Sequence, residues 1–367
     1  MFKKRLSFTI VAIILTVALV LSGCTKNKSP KDALQSSMTK SAEMKSYKFK
    51  GSMKIDDLNV SEDALAEDGA ASAIKMLKSA DLSWTGTYKA DPMMLELNLK
   101  LALQGDLAVT FNIPVIMTEE KVWVKIPNIP ILPIPEDIVG KFLELDLKKL
   151  AEDAGQELPN MDVSKSQKFG NDLMGIIFKN IEEDKYLSEI KVKDAGLPAD
   201  VDVKNVVQFH IDQSQLESFV NTVIDKIAPQ VIELLQNNEE YRKLLNVKPE
   251  DLEEAKKQLA DVKDGDVANG LADMKKELKK LDVKANIGID KKEFPVYTDA
   301  KIQADIESAD LTGGITFHLV SQMSNINEDV KFDIGKPKAE EIVTMDKLQE
   351  QLGGMFGGGL DGIDSSL

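Results

Sequence analysis

The chain has 367 residues, of which 43% are hydrophobic, enough for one large globular domain or two ordinary ones. Its formal net charge of −15 makes nucleic acid an improbable partner, and anionic lipid headgroups would repel the body of the protein. The single cysteine, Cys24, leaves no pair for a structural disulfide.

The chain opens with a short basic stretch followed by an apolar run. Lys3, Lys4 and Arg5 precede the run Leu6–Leu21, which is shorter than the roughly 20 apolar residues that a membrane-spanning helix needs. This order predicts a secretory signal peptide over residues 1–23. An uncleaved signal anchor is the alternative.

The apolar run ends in Leu21, Ser22, Gly23 and Cys24, which resemble a lipobox. Small residues suit a peptidase subsite, and only a thiol can form the thioether to diacylglycerol. We expect cleavage between Gly23 and Cys24 by lipoprotein-processing enzymes, with the lipid on Cys24 holding the protein at the extracytoplasmic face of the cell membrane. Residues 24–30 are then a tether.

The predicted domain spans residues 31–345 and begins with a helix over Lys31–Ser46, followed by strands with one apolar face. Period-two alternation marks the strands, and a short helix is expected within Ala64–Ala80. The alternating stretches are Tyr47–Ile55, Leu82–Tyr88, Leu95–Leu103, Val109–Val115 and Val122–Ile126, with Phe142–Leu147 as a further edge strand.

The middle of the chain is predicted to be largely helical, from Asp162 to Glu189 and again in a helical segment at 213–282. That segment contains a strongly amphipathic stretch, Leu216–Leu235. The remaining predicted strands are Val207–Ile211, Val283–Ile289, Ile302–Ile306, Ile315–Leu319 and Val330–Ile334. A Gly-rich tail at 346–367 is expected to be disordered.

These elements predict an α+β fold with a large curved antiparallel β-sheet. We expect a half-barrel of about nine to eleven strands, with helices packed on its concave face. A sheet this wide often splits, so a two-domain arrangement stays open.

The inventory of chemically active residues is poor. His210 and His318 each take the polar phase of a strand, which favours surface histidines over a base or a metal ligand. Asp261, Asp264 and Asp266 lack the spacing of a calcium loop. We therefore predict no enzyme, no catalytic residue, no metal and no cofactor, with a hydrolase built on paired carboxylates as a lesser alternative.

An apolar face on the predicted meander is the main candidate binding surface. Its Leu, Val, Ile and Phe side chains suit alkyl chains, with the helix Leu216–Leu235 as a lid, although the same pattern fits a core filled by helices. The candidate ligand-binding residues are Leu95, Leu97, Leu99, Leu101, Val109, Phe111, Ile113, Phe219 and Val223.

The chain resembles the LolA/LppX-like superfamily of bacterial envelope lipoproteins and lipoprotein carriers. Besides the lipobox, the matching features are the opening helix Ala33–Lys45, the strands Ser46–Met53 and Glu120–Lys125, and the strand end Ile289–Lys292. The resemblance implies a half-barrel with an acyl-chain cavity, carriage of lipidated or acylated molecules, and no catalytic residues. The charged helical segment Asn237–Leu281 departs from the family pattern.

Together these features predict a non-enzymatic, monomeric lipoprotein on the membrane of a Gram-positive-like cell, binding or carrying a hydrophobic or acylated ligand. The alternative is a structural or interaction lipoprotein of the cell envelope or spore, with a filled core and no lipid ligand.

Overall fold

The computed structural model describes residues 28–61, 70–103, 108–128, 134–153, 163–261, 276–307 and 312–348. The predicted signal peptide, Cys24 and most of the predicted tail lie outside these residues. The chain folds as an α+β protein with a large, mostly antiparallel open sheet, which confirms the predicted class.

Twelve strands form this sheet. They are β1 (Ser46–Val60), β2 (Ala80–Ala90), β3 (Met93–Leu103), β4 (Val109–Thr118), β5 (Lys121–Lys125), β6 (Phe142–Asp146), β7 (Leu187–Ile190), β8 (Asn205–Asp212), β9 (Leu278–Ile289), β10 (Pro295–Glu307), β11 (Thr312–Ser324) and β12 (Ile342–Thr344). The helices are α1 (Pro30–Ser41), α2 (Ala70–Ser79), α3 (Leu147–Asp153), α4 (Val163–Asn180), α5 (Glu183–Tyr186), α6 (Leu216–Thr222), α7 (Ala228–Gln236), α8 (Glu239–Leu244) and α9 (Pro249–Asp261).

The strand order is β12-β6-β5-β4-β3-β2-β1-β11-β10-β9-β8-β7. Neighbours from β2 to β6 and from β7 to β11 pair antiparallel, whereas β12 runs parallel to β6. The strand count exceeds the nine to eleven predicted because β7 and β12, of 4 and 3 residues, are too short for a clear alternating pattern.

Three predicted elements are wrong in detail. Val330–Ile334 is not a strand, because the backbone amides of Asp333 and Ile334 donate to the buried carboxylate of Glu96. Glu189 lies in β7 rather than in a helix, and β9 begins at Leu278 within the predicted helical segment. In both places pairing with an adjacent strand overrides the helix propensity of a Lys- and Glu-rich sequence.

The chain divides into two compact units. The first comprises Met1–Met44, Ser52–Ser79 and Asp162–Met323. The second comprises Lys45–Gly51, Ala80–Met161 and Ser324–Leu367. They are called unit 1 and unit 2.

Unit 1 has a large buried core between its helices and β8, β9 and β10. The apolar phases of β8 and β9 supply side chains such as Phe209 and Ile287, both 0% exposed. Helix α1 packs on β7, β8 and β10, and its start is fixed because Lys31 Nζ donates to the Ile181 carbonyl at 2.8 Å. Ser29 caps this helix by accepting from the Asp32 amide. These contacts give unit 1 a packed helix-on-sheet core.

The amphipathic stretch of unit 1 is interrupted by one π-helical segment. Val223–Ile227 is π-helical and joins α6 to α7, in which Pro229 is at the second position. A proline lacks an amide donor and its ring crowds the carbonyl four residues earlier, here that of Asp225, which accounts for the wider turn.

A second buried cluster joins α4 to α7, α8 and α9. Tyr241, 1% exposed, packs edge-on against Phe169 with ring centroids 5.2 Å apart. Its hydroxyl donates to Asp172 Oδ2 at 2.5 Å, and Arg242 donates to two carbonyls at the end of α7. Burial and the hydrogen bond to Asp172 raise the pKa of Tyr241 to about 12. The charged helical segment is therefore tied to α4 by the buried Tyr241, and Lys165 of α4 adds an ion pair with Glu240 at 2.7 Å.

Unit 2 is an antiparallel meander, and one of its two faces carries a buried carboxylate. Glu96, 6% exposed, accepts hydrogen bonds from the backbone amides of Asp333, Ile334 and Gly335 at 2.9 to 3.1 Å. Gly335 has a φ of +72°, a conformation that lets successive amides converge on one anion. On the same face Ile116, Trp123 and Phe142 form a small core.

Candidate ligand-binding site

Seven of the nine predicted ligand-binding residues lie together on the other face of unit 2. Antiparallel pairing places Leu99 opposite Ile113 and Leu101 opposite Phe111, so the apolar phases of β3 and β4 share one side of the sheet. The seven residues are Leu95, Leu97, Leu99, Leu101, Val109, Phe111 and Ile113, and each is half-buried. The register therefore brings them together as the alternation suggested.

Strand β2 extends this surface by a third column. Trp84 lies opposite Leu99, and Leu82 lies opposite Leu101, again on the apolar side. The positions that alternate onto this side in β2, β3 and β4 carry no charged side chain. We call this surface the meander face. Its members are Ala80, Leu82, Trp84, Gly86 and Tyr88 of β2, the odd-numbered residues Met93–Leu103 of β3, and the odd-numbered residues Val109–Met117 of β4.

The meander face is incompletely buried. Leu82, Trp84 and the seven predicted residues are all half-buried, whereas the core of unit 1 contains many side chains under 3% exposed. The most extensive helix–strand contacts involve α1 and α5 with β7 and β8, α1 with β10, and α3 with β6. A half-covered apolar surface without charges is a physical candidate for binding hydrophobic molecules.

An aromatic cluster lies at one end of the meander face. The rings of Tyr47 and Tyr88 have centroids 5.1 Å apart, and Tyr47 is 6.0 Å from Phe49. A Cβ added at Gly86 would lie 2.3 Å from Phe49 Cζ, so the Phe49 ring covers the glycine and only glycine leaves room for it. Alternation predicted these strands, but the cluster itself depends on the pairing of β1 with β2 and was not predicted.

The two tyrosines of this cluster have perturbed hydroxyl groups. Burial raises the pKa of the Tyr47 phenol, and the neighbouring Tyr88 raises it further. Burial also raises the pKa of Tyr88. Both groups are therefore neutral hydrogen-bond donors over the physiological pH range.

The two remaining predicted residues, Phe219 and Val223, lie in unit 1. They are 0% and 8% exposed and pack in the core formed with β8 and β9. Phe219 contacts the rings of Tyr186 and Phe209 edge-on, with centroids 5.5 and 6.2 Å apart. The helix predicted as a lid is thus part of a packed core, and a role for these two residues in ligand binding stays a prediction.

A polar groove of about 430 Å³ runs along the outer side of α6 in unit 1. Its lining includes the carboxylates of Glu182, Glu217 and Asp225 and the amine of Lys226. Lys185 donates to Glu182 and Ser218, two of the lining residues. No predicted ligand-binding residue lines this groove, and its polarity does not suit an alkyl chain.

The two histidines lie on the polar face of unit 1. They lie at the two ends of one row across four strands, in which each residue is opposite the next: His210, Lys284, Lys301 and His318. Each histidine has a carboxylate neighbour: His210 Nε2 lies 3.3 Å from Asp282, and His318 Nε2 lies 2.9 Å from Asp299. The row is therefore a charge-compensated polar surface.

In the described part of the chain, no group of three or more His, Cys, Asp or Glu side chains is arranged to hold a metal ion. Asp264 and Asp266 of the loosely calcium-like stretch lie outside that part. Among the same residues, no helix is both long and apolar enough to cross a bilayer.

No family model matches the chain, and no curated protein matches its sequence. The resemblance to LolA/LppX-like proteins therefore stays a prediction.

Proposed function

We propose that this protein is a membrane-anchored extracytoplasmic lipoprotein that binds a hydrophobic or acylated ligand on the meander face. The observation that carries the proposal is a three-strand apolar surface without charged residues whose side chains are half-buried. The lipobox-like Leu21–Cys24 supports the anchor and the location. The proposed role is binding or carriage, without catalysis.

The energetic basis is removal of apolar surface from water. Covering the part of the Leu97, Leu99 and Phe111 side chains that is still exposed with an alkyl chain gains roughly 25 cal/mol per Å² of apolar area. Because these side chains are already arranged by the sheet register, little conformational entropy is lost on binding. A lipid delivered from the membrane next to the tether would have the required chemistry.

The proposal is tested by native mass spectrometry of the mature protein, extracted from its own membrane in a removable detergent. We expect a non-covalent lipid mass in addition to the covalent anchor. Leu99→Asp puts a charge on the meander face and Leu99→Trp fills it, so both should lose this mass. Lys100→Asp is the matched control, since Lys100 is exposed and its side chain points to the opposite face.

The alternative function is a structural or interaction lipoprotein without a lipid ligand. The packed core of unit 1, including Phe219 and Val223, favours it for that unit. A mass equal to the anchored chain alone, with no uptake of added monoacylglycerol or fluorescent fatty acid, would support this alternative and contradict ligand binding.

A further inference from the structure

We propose that the hydroxyl groups of Tyr47 and Tyr88 form the polar end of the ligand site and bind the carbonyl oxygen of an uncharged acyl ester. This inference rests on the proposed function and adds the ligand's chemical class and its orientation. The alkyl chain would run from the tyrosines along β3 and β4 towards Leu101 and Phe111.

The position of the two tyrosines gives the site its direction. Tyr88 is in the same cross-strand row as Leu95, and successive rows lead through Leu97 and Leu99 to Leu101. The Tyr47 ring packs against Tyr88 at an interplanar angle of 37°, and Phe49 fills the space over the next row at Gly86. The phenols therefore lie at one end of the meander face. The other side-chain donor on it is the indole of Trp84, two rows further along.

Both hydroxyls are available to a ligand. Neither makes a hydrogen bond to another group in the part of the chain that the structure describes, and neither is among the fully buried polar atoms without a partner. Their raised pKa values keep them protonated, so each offers an O–H donor. A carbonyl oxygen presented at the edge of an apolar surface is the complementary acceptor.

The charge pattern favours an ester over a free carboxylate. The positions that form the meander face carry no Lys, Arg or His that would pair with an anionic head, and the whole chain is acidic at −15. Placing an unpaired carboxylate against an apolar surface has a large desolvation cost, whereas an ester carbonyl needs only a donor. A neutral acylglycerol-like lipid therefore fits better than a fatty acid.

The length of the surface fits an extended acyl chain. From Tyr88 to Ala80 the strand advances eight residues, or about 27 Å at roughly 3.4 Å per residue. One leaflet of a bilayer holds acyl chains in about 15 Å of hydrocarbon, half of the ~30 Å core. The meander face can accommodate such a chain along its strands with its carbonyl at the tyrosines.

The test uses the mature full-length protein and two photoreactive probes, a monoacylglycerol and the fatty acid with the same chain. Each carries a diazirine at the end of its alkyl chain. Labelling after irradiation is measured against probe concentration and mapped by peptide mass spectrometry. We expect the ester to half-saturate at lower concentration than the acid and to label peptides containing Leu101 or Phe111.

Removing either hydroxyl should weaken binding without disturbing the rings. Tyr47→Phe and Tyr88→Phe should each raise the half-saturating ester concentration roughly 2- to 10-fold, the effect of one neutral hydrogen bond. Tyr297→Phe in β10 of unit 1 is the matched control and should leave it unchanged. Thermal unfolding of each variant verifies that the fold is retained.

The outcomes separate the two proposals. Saturable labelling that both Tyr→Phe variants leave unchanged, or a wild-type protein that prefers the acid, would overturn the tyrosine site and leave ligand binding in place. If the wild-type protein shows no saturable labelling by either probe, the proposed function fails and the tyrosine site with it.

Discussion

Unit 1 and the meander face of unit 2 are built from the same alternating sequence pattern but differ in how completely they are covered. In unit 1, Phe209, Phe219 and Val283 are each 0% exposed because helices pack on the apolar side of β8 and β9. On the meander face, Leu99 and Phe111 are half-buried. The same period-two pattern therefore gives a packed core in one unit and an accessible surface in the other.

The largest expected effect comes from truncating a phenylalanine in each region. Phe219→Ala removes a fully buried ring and should lower the free energy of unfolding by about 3–5 kcal/mol. Phe111→Ala removes a ring that is only partly buried and should cost about 1–2 kcal/mol, since a partly exposed ring has less transfer free energy to lose and leaves a smaller cavity. Urea denaturation measures both variants, and equal losses would contradict the difference in covering.

Two buried tyrosines of unit 1 allow a more subtle test. Tyr241→Phe removes the hydrogen bond to Asp172 and should lower the free energy of unfolding by about 1.5–3 kcal/mol, the range for a bond to a charged group. Tyr186→Phe removes a buried hydroxyl that has no hydrogen-bond partner among the residues that the structure describes, so it should be neutral or stabilising. Chemical denaturation of this matched pair separates the two cases, and a loss for Tyr186→Phe would show an unrecognised partner.

The smallest expected effect is a pH dependence at the start of α6. The Asp212 carboxylate accepts hydrogen bonds from the Ser214 hydroxyl and from the backbone amides of Ser214 and Gln215. These bonds, that of the Ser214 hydroxyl most of all, hold the pKa of Asp212 below its ordinary value, although burial opposes them. The stabilisation is present above about pH 4 and is lost as the pH falls through the lowered pKa.

Asp212→Asn removes this ionisable group. The variant should lose at most about 1 kcal/mol at pH 7 and should show a weaker fall in melting temperature between pH 5 and about pH 2.5. Thermal unfolding across that range is the measurement. An unchanged acid profile would mean that other carboxylates determine it.

Much of the fold could be predicted from local pattern. Alternation located β1 to β5 and the amphipathic stretch from Leu216, because burial on one face leaves a periodic trace in the sequence. β7 and β12 could not be found, since three or four residues carry no reliable period. The segment Val330–Ile334 alternates like a strand. However, the backbone amides of Asp333, Ile334 and Gly335 donate to Glu96, which lies 237 to 239 residues earlier in the sequence.

The candidate site was predictable only as a set of side chains on one face. Leu97, Leu99 and Phe111 followed from the pattern, whereas the Tyr47–Tyr88 contact depends on strand pairing across 41 positions of sequence. The degree of covering was not predictable, because the same alternation precedes both a packed helix and an open surface. Phe219 and Val223 illustrate this: their spacing suited a lid, and they lie in the core of unit 1.

The carboxylate of Glu96 also makes the folding of unit 2 depend on a long-range contact. Its three amide donors lie 237 to 239 positions later in the chain. Bringing them to Glu96 closes a loop of at least 237 residues, so the entropy of loop closure opposes this contact during folding. The face of the meander that holds Glu96 is therefore completed by the last part of the chain.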